Sequence, residues 1–263
     1  MLIYRIYVGN SLRNYNYVIA CDKTKDAAII DPLDVNACID IANKNNLNIT
    51  KILNTHEHWD HIEGNDEVVK LTGAKIYAHY NCKDKIDNIY KTLKEGDIIN
   101  IGESIQITCL DTPGHTFGHI CFLANYKNKM ALFSGDTLFN AGAGNCYSGD
   151  MELLYKSFTD KLAHLCDDVL IYPGHDYLEN NLNFTLSIEP NNTEAKKLLE
   201  KIKQEKPNNR VITSLFIEKQ INSFFRLNSE EIKRNLVEKF KTKFENLSKE
   251  QVFFKLRELR NKW

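Results

Sequence analysis

Long hydrophobic runs are missing from this sequence: none reaches the roughly 18 residues that a membrane-spanning helix needs, so no span is expected. A surplus of charge is missing too, with 34 basic side chains against 35 acidic ones. Phosphate backbones are bound through an excess of Lys and Arg, so this balance speaks against a nucleic-acid partner. Paired cysteine motifs are absent. The seven cysteines (Cys21, Cys38, Cys82, Cys109, Cys121, Cys146 and Cys166) are odd in number, and no two stand as C-x-x-C. That pattern speaks against a disulfide framework and for a reducing compartment. The opening Met1-Leu2-Ile3-Tyr4-Arg5 does not follow the basic, apolar, small order of an export signal. The resulting expectation is a cytoplasmic protein without membrane contact. Repeats and low-complexity tracts are also lacking.

What is present suffices for a sizeable core, since 43% of the 263 residues are apolar and 10% aromatic. The length suits one large domain, or a domain of about 150–180 residues with a smaller appendage. Tyr17-Val18-Ile19-Ala20 and Ala27-Ala28-Ile29-Ile30 flank a polar turn and read as a hairpin. Apolar groups at helical spacing predict a helix over residues 35–46. Further strands are expected at Ile52-Leu53, Lys75–Ala78, Ile105–Leu110, Ile120–Leu123, Met130–Ser134 and Val169–Tyr172. Strands interleaved with helices indicate a layered α/β domain. Beyond about residue 180 the texture turns helical. A Lys/Glu-rich segment runs from Glu189-Pro190-Asn191-Asn192-Thr193 towards Pro207, and two helical patterns fill 228–262, joined at Asn246-Leu247-Ser248.

The strongest chemical signal is Thr55-His56-Glu57-His58-Trp59-Asp60-His61. Imidazoles and a carboxylate suit a borderline divalent cation, and four potential ligands on one loop exceed what one tetrahedral ion usually takes. The spacing suggests two ions. Three of the eight histidines crowd into these six positions, which a merely polar surface loop would not require. Three later positions, His115 in Thr112–His119, Asp136 in Ser134-Gly135-Asp136-Thr137 and His175 in Tyr172-Pro173-Gly174-His175, each follow a predicted strand. Loops at strand ends can bring such groups together on one sheet edge. His119 reads as a structural residue donating a hydrogen bond near the site, and His79 and His164 as ordinary strand-end and helix residues.

The fragments T-H-x-H-x-D-H, T-P-G-H-T-x-G-H, S-G-D-T-L-F and Y-P-G-H together resemble the metallo-β-lactamase superfamily. The resemblance implies a four-layer αββα sandwich with two divalent metal ions at the sheet edges. His56, His58 and His115 would hold the first ion, Asp60, His61 and His175 the second, with Asp136 bridging. Within the superfamily the chain resembles the glyoxalase II (hydroxyacylglutathione hydrolase) family across its whole length. The matching stretches are Gly135–Tyr147, His175-Asp176-Tyr177, Asn222–Arg226 and the ending Leu256–Trp263.

That family implies a catalytic domain at 1–178 and a mostly helical substrate-binding domain at 179–263. It implies Tyr147 and Tyr177 as glutathione contacts, and Arg257 and Arg260 as a clamp on glutathione carboxylates. Two of the family's lysines are replaced here, by Asn145 and Arg260. The implied reaction is hydrolysis of S-D-lactoylglutathione and related thioesters by a water shared between the metals, with Asp60 orienting it. The expected metals are zinc, with iron or manganese also accepted by such a site. Rival readings are a one-iron glutathione persulfide dioxygenase, another hydrolase of this fold, and a non-catalytic metal-binding module. The full second ligand set argues against the first of these, and seven ligands against a closed structural site.

Overall fold

The computed structural model describes residues 1–241 and 247–263. Two mixed sheets form its centre. The first runs in the order β1 (Leu2–Tyr7), β2 (Tyr15–Ala20), β3 (Asp26–Ile30), β4 (Asn48–Leu53), β5 (Lys75–His79), β6 (Ile89–Leu93). The hairpin read from the sequence is β2 and β3, paired antiparallel with Val18 opposite Ile29. From β3 onward the strands run parallel, and α1 (Val35–Lys44) makes the crossover to β4. Asp34 starts that helix, its side chain accepting from the Ala37 N–H at 3.0 Å. The second sheet comprises β7 (Ile98–Ile101), β8 (Ile105–Asp111), β9 (Ile120–Tyr126), β10 (Lys129–Gly135) and a last strand over Leu170–Pro173, parallel to β10. A short pair, β11 (Leu138–Phe139) and β12 (Gly142–Ala143), lies between, making the last strand β13.

Strand periodicity explains the layering. Along β2, Tyr15, Tyr17 and Ile19 pack with Ile107, Phe122 and Phe133 of the second sheet, whereas Val18 and Ala20 pack with Val35, Cys38 and Ala42 of α1. Both faces are covered, which is why every residue of β2 is buried. α3 (Asn65–Thr72) adds Val68 to the same outer layer. On the far side, Cys121, Leu132 and Ile171 of the second sheet meet Leu154 of α4 (Met151–Lys156) and the tail. The observed architecture is the αββα sandwich with a helical C-terminal region.

That region contains α5 (Leu178–Ile188), α6 (Thr193–Ile202), α7 (Leu215–Ile221), α8 (Glu230–Phe240) and α9 (Lys249–Asn261). Phe184, Phe224, Phe253 and Leu256 join the apolar cluster that contains Leu132 and Ile171, so the tail is packed onto the second sheet. Asn192 caps α6, which ends at Ile202, short of Pro207. Ser248 and Gln251 form a reciprocal capping box on α9. Of the junction read at Asn246-Leu247-Ser248, Asn246 lies outside the described residues. Strands β1, β6, β7, β11 and β12, the single turn α2 (Trp59–Ile62) and helices α3, α4, α5 and α7 had no counterpart in the sequence reading.

Candidate metal centre

Four carboxyl ends of strands supply the site. The 55–61 loop follows β4, His115 follows β8, Asp136 follows β10 and His175 follows β13. The two sheets are joined at this edge by the Ile120 N–H, which donates to the Thr55 carbonyl at 2.8 Å. Close approach there depends on Gly135, whose φ is +45°. A Cβ on Gly135 would lie 2.5 Å from Thr55 Oγ1 and 2.7 Å from His119 Nε2. Gly174 is equally constrained, since a Cβ there would run into Asp136 Oδ1.

All seven ligand-type side chains meet. His56 Nε2 lies 2.9 Å from His58 Nδ1, and His115 Nε2 lies 3.0 Å from that same atom. His61 Nε2 is 3.2 Å from His175 Nε2 and 3.5 Å from Asp60 Oδ2. Asp136 sits between the groups, 3.1 Å from His175, 3.4 Å from His61 and 3.5 Å from His115. His56, His58 and His115 form one set able to hold a cation. Asp60, His61 and His175 form another, and Asp136 groups with His56 and His61 in a third.

Tautomers test whether a metal fits. The far nitrogens of four rings are engaged: His56 Nδ1 with Thr55 Oγ1 at 3.0 Å, His61 Nδ1 with Asp31 Oδ2 at 2.9 Å, His115 Nδ1 with the Asn145 carbonyl at 2.8 Å, and His175 Nδ1 with the Leu12 carbonyl at 2.8 Å. A neutral ring that donates outward presents a lone pair inward, where a cation can take it. Asp136 Oδ1 is buried without a hydrogen-bond partner among the described residues. Burial, with neighbouring imidazoles adding to it, pushes the His56 pKa well down. Burial likewise pulls His115 down to about 4, and both rings are held neutral. At His61 burial acts in the same direction, but the Asp136 and Asp31 carboxylates outweigh it and lift the pKa to about 9. The carboxylates beside His61 favour positive charge there, the neutral His56 and His115 rings have lone pairs to give, and divalent cations fit this donor set.

Several contributors escaped the sequence reading. Asp31, at φ +51°, accepts from the Thr55 N–H at 2.8 Å and Thr55 Oγ1 at 2.7 Å while holding His61. Asn14 Nδ2 donates to Asp60 Oδ2 at 2.9 Å. Neither carries a motif, because each acts across the fold. His119 is structural and both accepts and donates beside the site. Its Nε2 accepts from the Asp136 N–H at 3.0 Å, leaving Nδ1 to face Thr112 and Thr137. His79 ends β5, buried, 3.5 Å from Asp111, and His164 lies in a single 3₁₀ turn.

The cluster forms the floor of a cleft of about 450 Å³. Tyr147, 67% exposed, places its ring over His58 and His115, and its hydroxyl accepts from Asn145 Nδ2 at 2.9 Å. Tyr177 stacks on His175 with centroids 5.0 Å apart. Arg260 lines the wall and donates to Asn181 Oδ1 at 3.2 Å. Arg257 departs from the expected clamp, because it is buried and does not line the cleft. Its Nη1 donates to the Ala143 and Gly144 carbonyls at 2.7 and 2.8 Å, while Nη2 has no partner among the described residues. A helix face rich in Lys and Arg does not reveal which guanidinium the core absorbs.

Fold and cluster together define the class, and the metallo-beta-lactamase superfamily model matches residues 12–175. The model for the hydroxyacylglutathione hydrolase C-terminus matches residues 176–263. A hydroxyacylglutathione hydrolase from Polaromonas sp. is 48% identical and one from Nitrosococcus oceani 47%, each over the full length of both chains. The crystal structure of ETHE1 from Myxococcus xanthus superposes with a TM-score of 0.68 at 25% identity, covering 99% of this chain and 98% of that one. The chain belongs to the hydroxyacylglutathione hydrolase family, whose members are thioester hydrolases of the metallo-β-lactamase fold.

Proposed function

We propose that this chain hydrolyses S-D-lactoylglutathione and related 2-hydroxyacylglutathione thioesters to the free acid and glutathione, using two divalent cations. The observation that carries the reading is the floor of the cleft: seven ligand-type side chains converge there, and four of the five imidazoles are held from outside through their far nitrogens. His56, His58 and His115 would hold one cation, Asp60, His61 and His175 the other, and Asp136 both. Nitrogen and carboxylate donors of this kind suit zinc, with iron or manganese as substitutes. When bound, such a pair supplies a water acidified towards neutrality and a Lewis acid for a carbonyl oxygen.

The protein's own contributions follow from position. Asp60, oriented by Asn14, directs the attacking water as well as serving as a ligand. The rings of Tyr147 and Tyr177 flank the floor and offer hydroxyl groups to the peptide units of glutathione. Arg260 pairs with a carboxylate of the carrier, and Arg257 fixes the Ala143–Gly144 backbone behind it. The leaving thiolate needs little protonation, so no acid has to be found for it. In this reading residues 1–178 carry the ligands and 179–263 complete the carrier wall. All seven cysteines are unpaired, and no helix among the described residues is long and apolar enough to cross a membrane. Both fit work in the reducing cytoplasm.

Loss of thioester absorbance from S-D-lactoylglutathione, followed on protein of known metal content, tests this. Rapid turnover abolished by a chelator is the expected outcome. Oxygen consumption with glutathione persulfide, and no hydrolysis by the fully metallated protein, would replace it with the dioxygenase reading.

A further inference from the structure

The residue between the first two histidines faces away from the cleft into a set of contacts that the reaction does not use. Glu57 is almost fully buried as a side chain, 5% exposed, and does not line the cleft. Its Oε2 accepts from Thr116 Oγ1 at 2.8 Å, and its Oε1 pairs with Lys85 Nζ at 2.7 Å. Cys82 Sγ approaches Oε2 at 3.5 Å and the Gly118 carbonyl at 3.4 Å. Asn81 Nδ2 donates to the Phe117 carbonyl at 3.0 Å. The packing leaves no slack, since a Cβ on Gly118 would lie 2.6 Å from Cys82 Sγ and 3.1 Å from Glu57 Oε2. One carboxylate thus ties together the 55–61 loop, the 112–119 loop and the turn at 80–85.

His58 makes this tie consequential. Of the five imidazoles in the cluster, it is the one whose outer nitrogen makes no hydrogen bond among the described residues; the other four are anchored to Thr55, Asp31, Asn145 and Leu12. Its ring is therefore placed by the backbone of its own loop and by ring contacts with His56, His115 and Tyr147. The neighbouring residue holds that backbone against Thr116, which adjoins His115. The Ile120–Thr55 backbone bond fixes the base of the two loops, and the Glu57–Thr116 bridge fixes their tips. The groups around Asp60, His61 and His175 are oriented by Asn14, Asp31 and Leu12, with none touching Glu57.

We propose that Glu57 is a positioning residue that sets the His58–His115 spacing through Thr116, and so governs cation affinity at the His56/His58/His115 set selectively. The proposal rests on the two-cation reading above. Loss of a partner that orients a ligand typically weakens metal affinity by about 10–100-fold. The experiment is competition between the zinc-loaded protein and a chromophoric chelator, comparing wild type with Glu57→Ala, Glu57→Gln and Thr116→Val. Expected is weakening of one zinc equivalent by about 10–100-fold in Glu57→Ala, with the other unchanged. Thr116→Val, which removes the donor and keeps the volume, should weaken the same equivalent. Glu57→Gln should fall between, because its amide oxygen still accepts from Thr116. In thioester turnover kcat should drop while KM stays constant.

Equal weakening of both equivalents in step with a lower Tm would reduce Glu57 to a general packing residue. Unchanged zinc affinity in Thr116→Val would also overturn the bridge, even if Glu57→Ala does not fold. A wild type that binds only one zinc would instead contradict the two-cation reading itself, so the two failures are distinguishable.

Discussion

The floor and the wall of the cleft are built by opposite rules. On the floor, each of four imidazoles is held by a second hydrogen bond, and Asp136 is enclosed by Gly174 and His119. On the wall, Tyr147 is 67% exposed and tied to Asn145, while Arg260 makes one side-chain hydrogen bond among the described residues, at 3.2 Å. A rigid floor suits chemistry that tolerates little displacement, because misplacing a catalytic group by about 1 Å can cost about 100-fold. A looser wall suits a flexible peptide carrier that has to enter and leave. Floor substitutions should therefore change metal content and kcat, and wall substitutions KM.

The largest effect should come from Asp136→Asn. The shared ligand loses a charge while its shape is kept, and metal content and kcat should fall together, kcat by more than ~100-fold. Retained metal with normal kcat would break the comparison. Asp31→Ala should come next. Freed from Asp31, His61 loses its orientation, and zinc affinity should weaken by about 10–100-fold at the Asp60/His61/His175 set, read by chelator competition. Arg260→Ala sharpens the contrast from the other side. Its charge-assisted contact is half exposed, so KM for S-D-lactoylglutathione should rise about tenfold, about 1.4 kcal/mol, with kcat and metal content unchanged.

The smallest effect concerns the tail that carries the wall. Burial pushes the Glu189 carboxyl up, but hydrogen bonds from Arg226 at 2.7 Å, Ser229 at 2.6 Å and Asn192 at 2.8 Å outweigh it and hold its pKa below the usual value. A carboxyl whose folded pKa is depressed stabilises the fold above the unfolded value, about 4.3, and ceases to as pH falls through the folded one. Glu189→Gln should thus lower stability at pH 7 by about 1 kcal/mol, and the gap to wild type should close in denaturant titrations below about pH 4.

The floor was far more legible in the sequence than the wall. Its ligands come in four short motifs, each directly after a strand whose apolar run is easy to read, so residue type and position agree. What holds the ligands was not legible: Asp31, Asn14 and Glu57 act on residues from other loops, and nothing in their local sequence marks the partner. Arg257 shows the same limit in the tail, where neighbouring α9 positions hold one arginine in the core and one at the cleft. Among the strands, β2 to β5, β8 to β10 and β13 were visible because their buried positions carry clear apolar runs, on both faces in β2 and on one face in β8. The short edge elements β6 and β7 were not, since β7 alternates exposed and buried over only four residues. Helix α5 was missed because its buried set includes Asn181 and Thr185, polar residues that blur the apolar stripe.

The account stands or falls on the cation count and its link to turnover. Metal-free protein should be titrated with zinc while uptake and S-D-lactoylglutathione hydrolysis are followed together. Two equivalents should bind per chain, with full hydrolysis reached only as the second fills. Saturation at one equivalent, or hydrolysis that persists without metal, would contradict it.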